Sequence, residues 1–374
     1  MERENGKTKY VMLVEELRAS MLRGDIKSGD KLPSENQLST QYNISRHTVR
    51  KALAILENEG LIVAYHGKGT YCSNRVRQLK PSKNIAVITT YISDYIFPRL
   101  IQGIDRVLTE DGYSIILKNT RNSRMNEAKC LEDILSKDID GLIIEPSKSQ
   151  IICRHKHLYD LLDEYKIPYV FIQGIYPQMK HKPHIIMDDC KGGYLLTKYL
   201  IELGHKHIIG IFKADDTQGS ERHRGYVKAL QEAGRLYDPQ MVIWFHTEDR
   251  MSKPVLSLDM IIGEGRPFDG VVCYNDEIAL EIIKLLQKRG MSVPKEVSVT
   301  GYDNSFLAEN LGVKLTTIAH PQEKLGEMAA EMLLNEIQEI RHGDGERITK
   351  ACTSKIQLIE PELILRDSCK MRKQ

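Results

Sequence analysis

The sequence lacks the long apolar segments of membrane and secreted proteins. None of its apolar runs approaches the ~18–20 residues of a membrane-spanning helix. Its start, MERENGK, contains no apolar secretory region. We therefore predict a cytoplasmic protein that makes no membrane contact. The same start argues against a solute-binding protein of a transport system, which would be exported.

Cysteine pairing motifs are also absent. The seven cysteines include no C-x-x-C pair, and their odd number does not suggest a disulfide framework. Two histidine pairs, His155/His157 and His205/His207, have no companion cluster of Cys, Asp or Glu at ligand spacing. We predict reduced thiols, no metal site and no cofactor.

Two motifs of common enzymes are missing as well. The sequence contains neither the nucleophile elbow G-x-S-x-G nor the phosphate loop G-x-x-x-x-G-K-[ST]. The Asp pairs at 188/189 and 215/216 are neighbours in sequence, and their carboxylates need not face each other. We therefore predict no catalytic residues and no enzymatic activity.

The most informative segment, 33–70, begins with two short helical patterns. Residues 44–58 carry apolar side chains at i, i+3, i+4 and i+7, which predicts one buried stripe formed by Val49, Ala52, Leu53 and Leu56. Ser45 is placed to cap this helix, and the preceding segment Ser34–Tyr42 has its own capping pattern. Two helices joined by a tight turn are typical of a helix-turn-helix.

A predicted hairpin follows these helices. The run 61–65 suits a strand, and Gly67-Lys68-Gly69 supplies a turn that tolerates positive φ. A hairpin at this place predicts a winged helix-turn-helix, whose wing tip can reach a phosphate or the minor groove.

Positive charge is concentrated in the same region. Residues 1–80 hold 14 Lys and Arg against 9 Asp and Glu, a net charge of +5, whereas residues 81–374 have a net charge of −3. A charged helix face is often simply solvated, but a local basic excess favours DNA binding. Arg46, in the first turn, is predicted to read base edges, and Lys51 to contact phosphate.

From residue 84 onward, apolar strands alternate with helical patterns. The predicted strands are Ile85–Thr89, Ser114–Lys118, Gly141–Ile144, Tyr169–Ile172, Ile208–Phe212, Gly270–Cys273 and Val297–Thr300. Short, continuously apolar strands separated by helices predict parallel sheets covered on both faces. The length of this part predicts two doubly wound α/β lobes with a cleft between them.

Polar residues follow each predicted strand, where ligands of open α/β sheets bind. They include Glu145, Asn275 and Asp303, and the aromatic residues Tyr91 and Phe97 accompany them. Carboxylates and amides bind paired hydroxyls, and an aromatic ring covers the apolar face of a sugar. Asp and Asn in such loops also cap helices, so Asn275 has that alternative role.

The N-terminal motifs resemble the GntR family of bacterial regulators over about residues 5–75. The resemblance rests on Pro33-Ser34-Glu35, Ser45 to Leu53, Glu59-Gly60-Leu61 and Gly67 to Thr70. It implies that Arg46, His47, Arg50, His66 and Gly67 contact DNA, with Ser34 and Glu35 close to it. The complete predicted DNA-binding set is Ser34, Glu35, Ser45, Arg46, His47, Thr48, Arg50, Lys51, His66, Gly67 and Lys68.

The remainder is similar to the LacI/GalR effector-binding core over 84–366. The motifs are Ile92-Ser93-Asp94, Asp189 with Gly192-Gly193, Leu203-Gly204-His205, Tyr274 to Ala279 and Gly301-Tyr302-Asp303. The resemblance implies a periplasmic-binding-protein-like core in which Asp189, Arg222, Asn275 and Asp303 hydrogen-bond the effector. The complete predicted effector-binding set is Tyr91, Asp94, Phe97, Glu145, Asp189, Arg222, Asn275 and Asp303.

The combination of the two parts resembles the arabinose-responsive repressors of Gram-positive bacteria. We predict a DNA-binding domain at 5–75, a linker at 76–83 and an effector-binding and dimerisation domain at 84–374. The resemblance implies a homodimer on double-stranded operator DNA that L-arabinose releases. Another sugar or a purine is the alternative effector.

Overall fold

The computed structural model describes residues 9–22, 25–27, 29–58, 60–73, 82–92, 95–310, 312–342 and 355–372. Several sequence predictions fall wholly or partly elsewhere. Asp94 and most of the predicted linker lie outside the described residues, as do residues 5–8, 23–24, 28, 59 and 74–75 of the predicted DNA-binding domain and residues 93–94, 311, 343–354 and 373–374 of the predicted effector-binding domain.

The helices and strands alternate along most of the chain. The helices are α1 Lys9–Leu22, α2 Glu35–Tyr42, α3 Arg46–Asn58, α4 Phe97–Glu110, α5 Arg124–Leu135, α6 Lys156–Glu164, α7 Asp189–Glu202, α8 Thr217–Glu232, α9 Lys253–Gly263, α10 Asp276–Lys288, α11 Phe306–Asn310 and α12 Gln322–His342. The strands are β1 Ile62–Tyr65, β2 Gly69–Cys72, β3 Asn84–Thr89, β4 Ser114–Asn119, β5 Gly141–Ile144, β6 Tyr169–Ile172, β7 His184–Met187, β8 Ile208–Lys213, β9 Val242–Phe245, β10 Gly270–Cys273, β11 Ser298–Thr300, β12 Thr317–Ala319, β13 Ile356–Ile359 and β14 Glu362–Ile364.

The N-terminal elements form a winged helix-turn-helix around a small core. The stripe predicted on α3 is buried, and it packs with apolar residues of α1 such as Leu13 and Leu17. Strands β1 and β2 pair antiparallel, with Ile62 opposite Cys72. Leu32 N donates to Thr70 O at 2.9 Å, so the segment before α2 lies along the hairpin.

The rest of the described chain forms two parallel sheets and a small antiparallel pair of β12 with β14. The six-stranded sheet has the order β13-β7-β6-β5-β3-β4, and the four-stranded sheet has the order β11-β10-β8-β9. The chain crosses between them after β7, between β11 and α12, and after β13. The predicted fold class, a winged helix-turn-helix with a bilobed α/β core, is confirmed.

Helices α7 and α8 cross at very short distance because a glycine on each helix faces the backbone of the other. A Cβ on Gly193 would lie 2.1 Å from Arg222 O, and a Cβ on Gly225 would lie 2.0 Å from Cys190 O. Any side chain there would force the helices apart. The close crossing brings Arg222 of α8 to Asp189, the first residue of α7.

A second glycine crossing joins α4 to α12. A Cβ on Gly103 would lie 2.1 Å from Glu323 O, and one on Gly326 would lie 2.2 Å from Leu100 O. Both helices pack on the six-stranded sheet through a shared apolar core. Helices α4 and α12 therefore form one tightly packed pair on that lobe.

None of the described helices combines the length and apolar character needed to cross a bilayer.

We expect Gly225→Ala to destabilise the core. The new methyl group would meet backbone atoms, which cannot rotate away, and overpacking of this kind costs about 1–3 kcal/mol. Gly263→Ala is the matched control, because a Cβ at Gly263, at the end of α9, would meet nothing within 4 Å. Chemical unfolding of both variants checks the difference, and equal stabilities would contradict the crossing.

Candidate functional site

The helix-turn-helix is fixed by caps at each helix start. Ser34 Oγ accepts from Gln37 N at 3.3 Å while Ser34 N donates to Gln37 Oε1 at 2.8 Å, which is a capping box on α2. Asn43 ends α2 in the left-handed conformation, with φ of 53°. Ser45 Oγ accepts from Thr48 N at 3.2 Å at the start of α3. Ser34, Ser45 and Thr48 therefore serve the helix ends.

The predicted DNA-reading side chains of α3 do not all project freely. Arg46 and His47 are exposed in its first turn. Arg50 Nε donates to Glu35 Oε2 at 2.8 Å, which ties α3 to α2. The Lys51 ammonium lies 4.0 Å from the centre of the Tyr10 ring, a favourable cation–π distance. Arg46 and His47 are thus the most available of this group.

The wing tip is exposed and closed by backbone bonds. His66, Gly67 and Lys68 are all exposed, and Gly67 has φ of 75°, as a tight turn requires. Lys68 N donates to Tyr65 O at 3.0 Å. Lys31 was not in the predicted DNA-binding set, although its Nζ lies beside the wing, 5.9 Å from the centre of the Tyr71 ring. Its only signal was its position beside the capping motif.

A cavity of the core lies at the carboxyl ends of strands from both sheets. It encloses about 920 Å³ of atom-free space, including its open mouth. Its lining includes six predicted effector residues, Tyr91, Phe97, Glu145, Arg222, Asn275 and Asp303. It also includes residues outside the predicted effector-binding set: Thr90, Tyr95, Asn122, Gln173, Lys213, Asp216, Gln218, Phe245, Arg250, Tyr274 and Glu277.

Arg222 is the most completely surrounded charge of this cleft. Its side chain is 6% exposed, its Nε donates to Asp189 Oδ1 at 2.8 Å, and its Nη1 donates to Tyr274 O at 2.6 Å. The guanidinium carbon lies 3.5 Å from the centre of the Tyr302 ring. Its Nη2 lies 3.7 Å from Asp303 Oδ1. The guanidinium therefore presents its remaining donors to the cleft from a fixed position.

The two carboxylates beside Arg222 have different roles in the structure. Asp189 does not line the cleft and instead anchors the guanidinium from behind. Burial raises the pKa of Asp189 to about 6 although Arg222 opposes the shift, so the carboxylate is ionised at neutral pH. Asp303 lines the cleft with φ of 95°, a backbone conformation that few non-glycine residues adopt. Strain of this kind is common at ligand sites.

Glu145 and Asn275 are held by neighbouring backbone. Glu145 Oε2 accepts from Thr90 N at 2.8 Å and from Thr90 Oγ1 at 2.6 Å. Burial outweighs these bonds and raises the pKa of Glu145 to about 7. Asn275 Oδ1 accepts from Ile278 N at 3.0 Å and caps α10. The helix-cap role of Asn275 is therefore real, and its side chain also lines the cleft.

An unpredicted amide donor also faces this space. Gln173 is buried, and its Oε1 lies 2.8 Å from His320 Nε2. Burial lowers the pKa of His320 to about 4, so the neutral ring donates this bond. Among the described residues, Gln173 Nε2 has no hydrogen-bond partner. An apolar strand ends at Ile172, so position alone could have suggested this residue.

Side chains of the two lobes also touch each other along the cleft. Arg250 Nη1 donates to Tyr91 Oη at 3.1 Å, and Tyr95 Oη donates to Tyr302 O at 3.1 Å.

A buried ion pair lies within one lobe of the cleft: Lys213 Nζ lies 2.8 Å from Asp216 Oδ2. Burial lowers the pKa of Lys213, but the Asp216 and Asp215 carboxylates outweigh burial and raise it overall. The sequence analysis did not assign Lys213 to the site, because this residue is the last one of an otherwise apolar strand.

One histidine of each pair considered as metal ligands has another partner. His155 Nε2 lies 2.8 Å from the buried Glu127 Oε1, and His205 Nε2 lies 3.2 Å from Lys370 O. Within the described ranges, no group of three His, Cys, Asp or Glu side chains is arranged to hold a metal ion.

Comparisons with known proteins agree with both halves of this architecture. Residues 9–72 match the bacterial regulatory proteins of the gntR family, and residues 197–369 match the periplasmic binding protein-like domain. The arabinose metabolism transcriptional repressor of Halalkalibacterium halodurans is 41% identical over 372 residues, which cover 96% of each chain. The chain belongs to the family of these repressors.

Two further comparisons extend this finding. The arabinose metabolism transcriptional repressor of Geobacillus stearothermophilus is 38% identical over 97% of this chain and 98% of that protein. A periplasmic binding protein/LacI transcriptional regulator from Alkaliphilus metalliredigens, solved with D-xylulofuranose, has a TM-score of 0.61 and 27% identity, covering 77% of this chain and 99% of that chain. The relatives are named repressors rather than enzymes. The predicted GntR-type module and LacI-type core are confirmed.

We expect Glu145→Gln to change how stability depends on pH. The native carboxyl holds its proton to about pH 7, whereas an ordinary one releases it near 4.5. The parent should therefore lose stability relative to the variant as pH rises from about 4.5 to 7, by on the order of 3 kcal/mol. Urea unfolding at pH 5 and pH 8 measures the difference.

The control for this experiment is Glu202→Gln on the exposed surface of α7. It should shift stability equally at both pH values. A Glu145→Gln curve parallel to the parent curve would show that Glu145 ionises normally.

Proposed function

We propose that this protein represses genes of arabinose metabolism by binding their operator DNA, and that L-arabinose in the core cleft releases it. The observation that carries the proposal is the fixed guanidinium of Arg222 beside Asp303 in a cleft between two lobes. The same chain carries α3, whose first turn exposes Arg46 and His47. The names of the two full-length relatives support arabinose as the effector.

The cleft suits a small sugar on chemical grounds. Arg222, Asn275 and Asp303 combine donors and acceptors that can pair with neighbouring hydroxyls. Tyr91 and Phe97 lie with ring centres 5.7 Å apart on another side of the same cleft. An aromatic surface opposite polar side chains matches a sugar ring, which has an apolar face and a rim of hydroxyls. Because the pKa of Glu145 is raised to about 7, its carboxyl group supplies a donor when protonated and an acceptor in either state.

On the DNA side, we propose that Arg46 reads base edges in the major groove. It is exposed in the first turn of α3, and recognition helices reach bases with that turn. His47 lies beside it, and the wing residues His66, Gly67 and Lys68 extend the surface toward the backbone of the duplex. Lys51, with its ammonium over Tyr10, is proposed to contact phosphate from a restrained position.

We further propose a homodimer that places two winged modules on a symmetric operator. The sugar binds more tightly to an arrangement of the two lobes that binds DNA weakly. It therefore weakens DNA binding, and DNA weakens sugar binding by the same factor. Coupling of ~1–3 kcal/mol corresponds to a 5- to 150-fold release. The protein binds the sugar without converting it, and it acts in the cytoplasm, where its operator lies.

The direct test is a gel-shift titration with promoter fragments of arabinose-utilisation genes. We expect specific binding that L-arabinose weakens, while hexoses and purines leave it unchanged. Calorimetry against the same panel identifies the effector independently of DNA. An unchanged operator affinity at saturating L-arabinose would refute release, and a stronger response to a purine would identify the alternative effector.

We expect Arg46→Ala to reduce operator selectivity while sugar binding persists. Loss of a bidentate arginine–guanine contact typically costs ~1–3 kcal/mol of discrimination. Anisotropy titrations with operator and scrambled DNA measure this ratio. Arg289→Ala, an exposed arginine of the core paired with Asp259, is the control and should keep the ratio. Equal loss of operator and sugar binding by Arg46→Ala would indicate misfolding instead.

We expect Asp303→Asn to weaken sugar binding and leave operator affinity without sugar unchanged. Asparagine tolerates the positive φ at this position, so the change removes charge without adding backbone strain. Loss of a charged hydrogen bond should lower sugar affinity by roughly 10-fold or more. Calorimetry measures it, with Asp259→Asn on the exposed surface of α9 as the control. Unchanged sugar affinity would remove Asp303 from the site.

A further inference from the structure

The chain enters the core through residues held by a single carboxylate. Asp140 Oδ1 accepts from Ser82 N and from Ser82 Oγ, both at 2.9 Å. Asp140 Oδ2 accepts from Lys83 N at 3.1 Å. These two residues immediately precede β3, and Asp140 immediately precedes the neighbouring strand β5. The end of the predicted linker is therefore bonded to the frame of the six-stranded sheet.

The last turn of α12 reaches the same carboxylate. Arg341 Nη2 donates to Asp140 Oδ2 at 2.8 Å, and Arg341 Nη1 donates to Tyr113 Oη at 3.2 Å. Lys83 Nζ lies 4.1 Å from the centre of the Tyr113 ring. The Asp140 side chain is only 7% exposed, so this pair is more than a surface contact. We call Ser82, Lys83, Tyr113, Asp140 and Arg341 the linker clamp.

The other end of α12 lies at the cleft. Gln322, its first residue, donates from Nε2 to Asp303 O at 3.1 Å. Asp303 follows β11 of the four-stranded sheet, whereas α12 packs on the six-stranded sheet. This hydrogen bond therefore joins the two lobes at a residue that lines the cleft.

Helix α12 is also locked to a second wall of the cleft. The Gly103 and Gly326 crossing leaves no room between α4 and α12. Helix α4 begins at Phe97, whose ring lines the cleft. A helix of 21 residues spans about 30 Å. A single packed element thus extends from the cleft to the linker clamp.

We propose that α12 and the linker clamp transmit the state of the cleft to the DNA-binding module. Arg341 and Asp140 are positioning residues: neither lines the cleft, and together they fix the direction in which the linker leaves the core. The linker leaves the core at Ser82 and Lys83, which are hydrogen-bonded to Asp140 of the six-stranded lobe. When that lobe rotates, these bonds make the start of the linker move with it. The inference rests on the proposed sugar release and names the path by which release occurs.

The test compares operator affinity with and without saturating L-arabinose for the full-length parent and Arg341→Gln. We call the operator affinity without sugar divided by the affinity with sugar the release ratio. We expect Arg341→Gln to lower this ratio by roughly 5-fold or more and to leave the dissociation constant for L-arabinose, measured by calorimetry, unchanged. Ser82→Ala with Lys83→Met is a milder second variant, because it removes the Ser82 Oγ–Asp140 hydrogen bond and the contact of the Lys83 ammonium with the Tyr113 ring, and leaves the Arg341–Asp140 pair in place. It should lower the ratio in the same direction.

The matched control is Arg289→Gln, which breaks another arginine–aspartate pair, with Asp259, remote in sequence from the clamp. It should keep the parent release ratio. A parent ratio retained by Arg341→Gln and by the milder variant would overturn the inference while leaving sugar release intact. Weakened sugar binding in Arg341→Gln would also overturn it, because the clamp would then act on the cleft itself. A parent without release would refute the proposed function as well.

Discussion

The buried ion pair between Arg222 and Asp189 is the contact on which the cleft depends. A guanidinium removed from water is tolerated only when its donors are paired, and removing one partner of a buried pair typically costs ~3–5 kcal/mol. The pair forms because Gly193 and Gly225 let α7 and α8 touch backbone to backbone. Tyr302 then covers the guanidinium from one side. Ligand geometry in the cleft is thus determined by helix packing behind it.

Much of the fold could be read from the sequence because its strongest patterns are local. Seven strands were predicted from residue 84 onward, and each is present, since short apolar runs bounded by polar turns are typical of buried parallel strands. The prediction did not include β7, which begins with the polar His184, nor β9, although its four residues are all apolar. The strands β13 and β14 contain no fully buried residue, and each includes a polar one, Gln357 or Glu362, so neither is a continuous apolar run. Helix α1 was missed although Leu13 and Leu17 have helical spacing.

The candidate site was predictable where a residue follows a strand and less so where a distant partner defines its role. Glu145, Asn275 and Asp303 follow strands, and they line the cleft. Asp189 was assigned to the ligand, but its carboxylate is used by Arg222, 33 residues away. Lys51 lies over Tyr10, a pairing that no local pattern in α3 reveals. Such contacts depend on the packed structure and not on sequence spacing.

The left-handed backbone at Asp303 constrains how this core can diversify. With φ of 95°, the position disfavours β-branched and bulky residues, so few substitutions beyond Asn and Gly are compatible with the fold. Residues in ordinary conformations around the same cavity, such as Tyr91 and Arg250, have no such restriction. Changes in ligand preference among related proteins should therefore accumulate on the loops that carry those residues, while the backbone turn after β11 persists.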